Sequence, residues 1–136
     1  MAYSQQKFRE IVFQMIFSLD QGQKTNSRAD LIQFFSEELD LRKEFCQQAF
    51  ERAEAVLAQQ EEIDRLIAEN ATSYALDRIY IAEKNILRLA IYEMKYDEAL
   101  PEKVAISEAL RLTKKFSTPE AVSFVNGILD AILRAA

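Results

Sequence analysis

The sequence predicts an all-α protein built from long helices, and its composition supports this class. The chain has 136 residues, of which only two are glycine and two are proline. An all-β sandwich or barrel needs many tight turns, so the scarcity of both residues favours helices. Hydrophobic residues make up 49% of the chain and charged residues 29%, as expected for a packed core under a polar surface. A chain of this length favours a single domain.

Apolar residues recur at helical spacing along the first half of the chain. The first predicted helix covers about residues 4–19, and Gly22 marks its end. Ser27 is a predicted N-cap for a second helix, and Asp40 is a predicted N-cap for a third. The polar stretch at residues 59–62 is either a break or a continuation of helix, and a short apolar stripe follows it.

The second half continues the helical pattern. A short helix is predicted near residues 74–78, and a long one follows and ends at about Tyr96. Pro101 begins the next helix. The sequence Thr118-Pro119-Glu120 is a strong start signal, because it offers a capping hydroxyl, a proline at the first helical position and an acid. The last helix then runs to about Arg134.

Composition also excludes several classes of function. Without histidine, the chain has no Ser-His-Asp or Cys-His nucleophile and no His-ligated metal. Two distant glycines form no phosphate-binding loop. We therefore expect a protein that is not an enzyme. The single Cys46 cannot close an intrachain disulfide, which fits the cytoplasm. No apolar run is as long as a membrane span, and the net charge of −5 provides no general basic field for nucleic acid.

Three places depart from an ordinary amphipathic helix. Glu83 lies in an apolar sector of the long helix, so it must be paired, lie near the helix start or face a partner. Gly127 costs about 1 kcal/mol relative to alanine within a helix. That cost makes sense if another helix, or a base stacked on Phe124, approaches the backbone. Arg9 projects on the side of Phe13, where it can hold phosphate or extend over the core.

Three ordered motifs resemble those of the NusB family. The segment AEKNILRLAIYEM at 82–94 resembles the family's central helix. The segment PEKVAISEA at 101–109 resembles "PxKVAINEA", and FVNGILD at 124–130 resembles the "FVNGVLD" signature. Arg9-Glu10 and residues 14–18 resemble the start of the family pattern. The resemblance covers nearly the whole chain and is densest over residues 82–130.

This resemblance implies a fold and a function. NusB proteins are all-helical, so we expect two packed helical bundles with about seven or eight helices, at residues 1–70 and 71–136. The implied function is that of a transcription antitermination factor. Such a factor binds boxA-type single-stranded RNA in nascent ribosomal RNA transcripts together with the ribosomal protein NusE. This pair joins other Nus factors on RNA polymerase. The resemblance implies no catalysis, no cofactor, no metal and no membrane.

The resemblance also implies two sets of site residues. The residues expected at the RNA are Lys7, Arg9, Glu120, Phe124 and Gly127. The residues expected at the NusE-facing surface are Phe17 and Glu83. Family members occur as monomers and dimers, and a homodimer could cover Arg9 and Phe124.

The chain departs from the family pattern where basic residues are expected. Gln5, Gln6 and Ser123 stand at three such positions, and Ser107 stands where the family has asparagine. Each lost phosphate contact flattens the salt dependence by about 0.7 in log–log slope. We therefore expect weaker RNA binding by the isolated chain and more reliance on the partner protein.

Two other functions remain open. One is a NusB-like accessory domain such as that at the front of an RNA cytosine methyltransferase. Because the chain ends at Ala136 without cofactor-binding βα segments, a free-standing protein is the preferred expectation. The other is a protein–protein adaptor that has lost RNA binding, which the polar residues at the three expected basic positions would suit.

Overall fold

The computed structural model describes residues 3–20, 28–71 and 78–135, and this part of the chain contains seven α-helices and no strand. They are α1 (Gln5–Asp20), α2 (Arg28–Glu38), α3 (Lys43–Ala58), α4 (Gln60–Asn70), α5 (Ile81–Tyr96), α6 (Glu102–Phe116) and α7 (Ala121–Ala135). The prediction of an all-α protein is confirmed.

Local capping explains where several helices begin. The Ser4 hydroxyl accepts a hydrogen bond from the Lys7 N–H at 3.0 Å in the first turn of α1. The Thr118 hydroxyl accepts one from the Ala121 N–H at 3.2 Å, which confirms the start signal predicted for α7. The polar stretch after α3 contains a break, because a turn at Gln59 separates α3 from α4.

The predicted cap at Asp40 is wrong. Helix α3 begins at Lys43, and Asp40 lies in the preceding turn with a φ of 52°. Aspartate is one of the few non-glycine residues that tolerate this left-handed conformation. The Ser36 hydroxyl donates to the Leu41 carbonyl at 2.7 Å and closes the turn. The residues predicted to end α1 and cap α2, Gly22 and Ser27, lie outside the described residues, as does nearly all of the short helix predicted near residues 74–78.

The chain divides into two compact units, Met1–Leu57 and Ala58–Ala136. The sequence-based boundary after residue 70 placed α4 in the N-terminal half, whereas the observed division comes before α4. The reason is the packing of α4, which contacts α5 and α7. Ile63 and Ile67 of α4 are fully buried, so the apolar face of this helix joins the core of the second unit.

Helix α5 is the centre of the second unit, where it contacts α4, α6 and α7. Its buried positions include the polar residues Asn85, Arg88 and Glu93. The Arg88 guanidinium donates to both carboxylate oxygens of Asp64 at 2.8 Å and to the Asn85 side-chain oxygen at 3.0 Å. A buried charge needs such partners, so this network fixes α4 against α5.

Two further observations concern the chemistry of the chain. Cys46 of α3 is fully buried, and burial raises the pKa of its thiol. No helix in the described ranges has the length and apolar character needed to span a membrane.

Candidate functional site

Three of the residues predicted from the sequence line one cavity in the second unit. Glu83, Glu120 and Phe124 border a space of about 320 Å³. The other residues that line it are Arg78, Ile79, Tyr80, Thr118 and Ala121. The start of α5 and the start of α7 thus bring together two carboxylates, two aromatic rings and a guanidinium.

Glu83 is placed by the beginning of α5 and the end of α6. It lies in the first turn of α5, is half-buried, and accepts a hydrogen bond from the Ser117 hydroxyl. A carboxylate is favoured near a helix N-terminus, where backbone N–H groups carry partial positive charge. Two of the three explanations offered for this acid therefore apply, since it is both paired and near a helix start. Contact with a partner protein stays a prediction.

Glu120 and Phe124 are placed by the capped start of α7. Glu120 is exposed just before the helix begins at Ala121, and Phe124 is half-buried one turn further along. Val125, Ile128, Leu129 and Ile132 form the buried face of α7. Because Phe124 lies outside that buried set, its ring contributes to the cavity wall instead of the core.

Gly127 lies exposed on α7, one turn after Phe124. Apart from its chain neighbours and the backbone of α7 itself, no heavy atom of the described residues comes within 4 Å of the place that a β-carbon at Gly127 would occupy. A second helix pressed against this backbone is thus not found in the described structure. Close approach by a ligand from outside the chain is the explanation that stays as a prediction.

Arg78 and Tyr80 are cavity residues that the sequence analysis did not identify. The Tyr80 side chain is 65% exposed, although it is a large aromatic residue. An exposed aromatic residue near an arginine is a weak signal in a sequence, because it becomes informative only when both are seen to border one cavity with Phe124. Aromatic faces can stack on bases, and a guanidinium can stack or pair with phosphate.

The other predicted site residues lie on α1 in the first unit. Lys7 and Phe17 are half-buried, and the Phe17 ring meets Phe13 edge-on at 6.1 Å. Arg9 is only 8% exposed and interacts with other residues of the chain. Of its two interpretations, the one in which Arg9 extends over the core agrees with this burial. RNA contact by Arg9 stays a prediction.

No candidate metal centre is found in the part of the chain that the structure describes, because no three His, Cys, Asp or Glu side chains cluster there.

The arrangement around Phe124 is suited to binding a base or a protein side chain by stacking, hydrogen bonding and charge.

Comparisons with known proteins show which family this chain resembles. A family model described as the NusB family matches residues 6–134. A transcription antitermination protein NusB from Koribacter versatilis is 34% identical over 131 residues, which cover 96% of this chain and 89% of that protein. The structure of T. maritima NusB has a TM-score of 0.80 and 28% identity, covering 98% of this chain and 93% of that one. A crystal structure of the antitermination factors NusB and NusE with double-stranded RNA has a TM-score of 0.80 and 25% identity, covering 96% of both chains.

Proposed function

This chain belongs to the NusB family of transcription antitermination proteins, and on that premise we propose that it binds boxA-type single-stranded RNA in nascent ribosomal RNA transcripts together with NusE. A solved relative in complex with both NusE and RNA supports these two kinds of partner. That the RNA is single-stranded and of boxA type is part of our proposal.

The observation that carries the proposal is the cavity around Phe124. Its wall joins the half-buried ring of Phe124 to the exposed ring of Tyr80 and to Arg78. Single-stranded RNA exposes base faces that stack on aromatic side chains, and each stacked base contributes about 1–3 kcal/mol. Gly127 extends this surface along α7, because open space lies above its backbone where a ribose or phosphate could approach.

We assign the proposed site residues the two roles that the family resemblance implies. Lys7, Arg9, Glu120, Phe124 and Gly127 contact RNA, and Phe17 and Glu83 contact NusE. Glu83 is suited to a basic partner because its carboxylate borders an open cavity and is only half-buried. The two acids that border this cavity, Glu83 and Glu120, also discourage phosphate there and so favour the face of a base.

The protein acts by binding and not by catalysis in this proposal. It reaches other Nus factors and RNA polymerase through the complex with NusE. Its place of action is the cytoplasm, because nascent ribosomal RNA is its ligand.

The central test is a titration of fluorescently labelled boxA-type single-stranded RNA, with and without NusE. We expect Phe124→Ala to weaken the complex by about 1–3 kcal/mol through loss of stacking, and Arg9→Ala to weaken it as well. Phe34→Ala is the matched control, since it removes an exposed ring from α2 in the first unit. A duplex of the same sequence distinguishes single-stranded from double-stranded RNA.

The site assignment fails if neither Phe124→Ala nor Arg9→Ala changes the affinity. Tighter binding to the duplex would overturn the choice of single-stranded RNA.

A second function, a protein adaptor without RNA binding, is favoured by Gln5, Gln6 and Ser123, which replace expected basic residues. It predicts that the chain binds NusE but gives no RNA signal at any salt concentration. The same titration therefore separates the two functions.

A further inference from the structure

The first unit contains a second cavity, of about 520 Å³, that none of the predicted site residues lines. It lies between the start of α1 and the first half of α3. Gln5 and Phe8 border it from α1, and Arg42, Phe45 and Arg52 border it from the α3 side. It thus brings two arginines beside the N-terminal segment in which expected basic residues are replaced by glutamine.

Tyr3 contacts Arg42, and both residues line this cavity. The Arg42 guanidinium lies over the ring of Tyr3, 6.0 Å from the centroid, and the Arg42 backbone N–H donates to the Tyr3 hydroxyl at 3.0 Å. The Tyr3 ring in turn packs on Phe45, with 4.1 Å between centroids. Phe45 is 8% exposed, so the platform under Arg42 is anchored in the core of the first unit while Arg42 itself is exposed.

The charges of the cavity favour an anion. Arg42 and Arg52 are its two cations, of which Arg52 also interacts with another residue of the chain, and Glu44 is its one carboxylate. A guanidinium presents a planar set of donors that fits phosphate oxygens in pairs, and it also stacks on bases. An aromatic ring beside a guanidinium is the combination with which proteins bind single-stranded nucleic acid without base-specific hydrogen bonds.

We propose that Arg42 and Arg52 bind backbone phosphates of the single-stranded RNA and supply contacts that Gln5 and Gln6 cannot make. The inference rests on the proposed function and adds two binding residues to it. It follows that the shallow salt dependence expected from the missing N-terminal cations is offset by cations from the α3 side.

The test measures RNA affinity at several salt concentrations, with NusE present at a fixed saturating level, for the wild type and for Arg42→Gln combined with Arg52→Gln. Each lost phosphate contact should flatten the log–log slope by about 0.7, equivalent to about fivefold weaker binding at 0.1 M salt. Arg65→Gln combined with Arg134→Gln is the charge-matched control, because it removes two exposed cations that pair with acids of their own helices, α4 and α7. Arg42→Lys keeps the charge and should keep the slope.

A rescue variant makes the test sharper. Because Gln5 borders the same cavity, adding Gln5→Arg to the double variant should restore part of the lost affinity and slope. Thermal melting by circular dichroism verifies that each variant is folded.

The possible failures are distinguishable. If the double variant binds like the wild type while Phe124→Ala binds more weakly, the inference is overturned and the proposed function stands. A fall in affinity without a change of slope would also overturn it, since a lost phosphate contact must change the slope. If the wild type binds no RNA even with NusE, the proposed function is overturned and the inference with it.

Discussion

At Gly127, the stability of the helix favours alanine, whereas the proposed RNA binding favours glycine. Glycine within a helix is less stable than alanine because the unfolded chain has more backbone freedom to lose. Beyond its chain neighbours and the backbone of α7, the β-carbon of an alanine would meet no described atom within 4 Å, so the packing of the fold gives no reason for glycine. A ligand that approaches the backbone of α7 would give one.

We therefore expect Gly127→Ala to stabilise the protein by about 0.5–1 kcal/mol and, at the same time, to weaken RNA binding. Urea unfolding followed by circular dichroism gives the first quantity, and RNA titration in the presence of NusE gives the second. Loss of stability would contradict the open space found beside Gly127. Unchanged RNA affinity would remove Gly127 from the site.

The packing of α4 against α5 depends on polar contacts as well as apolar ones. The Arg88 side chain of α5 is 3% exposed, and its partner Asp64 of α4 is 15% exposed. Removing one member of a buried ion pair leaves the other charge without compensation, which costs far more than breaking a pair in water.

Asp64→Asn should consequently lower the free energy of unfolding by about 3–5 kcal/mol. Asp130→Asn is the control, because it breaks the exposed pair between Asp130 and Arg134 of α7 and should cost about 1 kcal/mol or less. Urea unfolding of both variants measures the difference. Equal losses would mean that the Arg88 pair contributes no more than a surface pair.

The whole molecule has a net charge of −5, so RNA binding depends on local groups of cations and aromatic rings and not on its overall field. A homodimer that covers Arg9 and Phe124 would occupy the surface that these groups form. RNA and a second copy of the chain would then compete.

We expect the complex with RNA and NusE to contain one copy of this chain. Light scattering coupled to size-exclusion chromatography measures the mass of the complex. A complex with two copies, together with undiminished RNA affinity at high protein concentration, would contradict competition between dimer and RNA.

Periodicity and capping signals made most of the secondary structure predictable. The start of α7 is predictable because Thr118 and Pro119 act within one turn of each other. The end of α5 at Tyr96 is predictable from the apolar pattern of that helix. The cap predicted at Asp40 is wrong because an acid before a helix can be either a cap or a left-handed turn residue, and only the backbone geometry distinguishes the two. Glu83 and Phe124 lie in the family motifs at 82–94 and 124–130, whereas Glu120 lies outside the quoted motifs and is predicted only by the wider resemblance.

The sequence by itself determined that the chain is helical and belongs to the NusB family, because helical periodicity, capping and short motifs are all encoded within a few neighbouring residues. Only the tertiary structure decided that Glu83, Glu120 and Phe124 share a cavity with Arg78 and Tyr80, and that Arg42 and Arg52 stand beside Gln5. Contacts of that kind join residues far apart in the chain, and they depend on how helices pack, which no local pattern specifies.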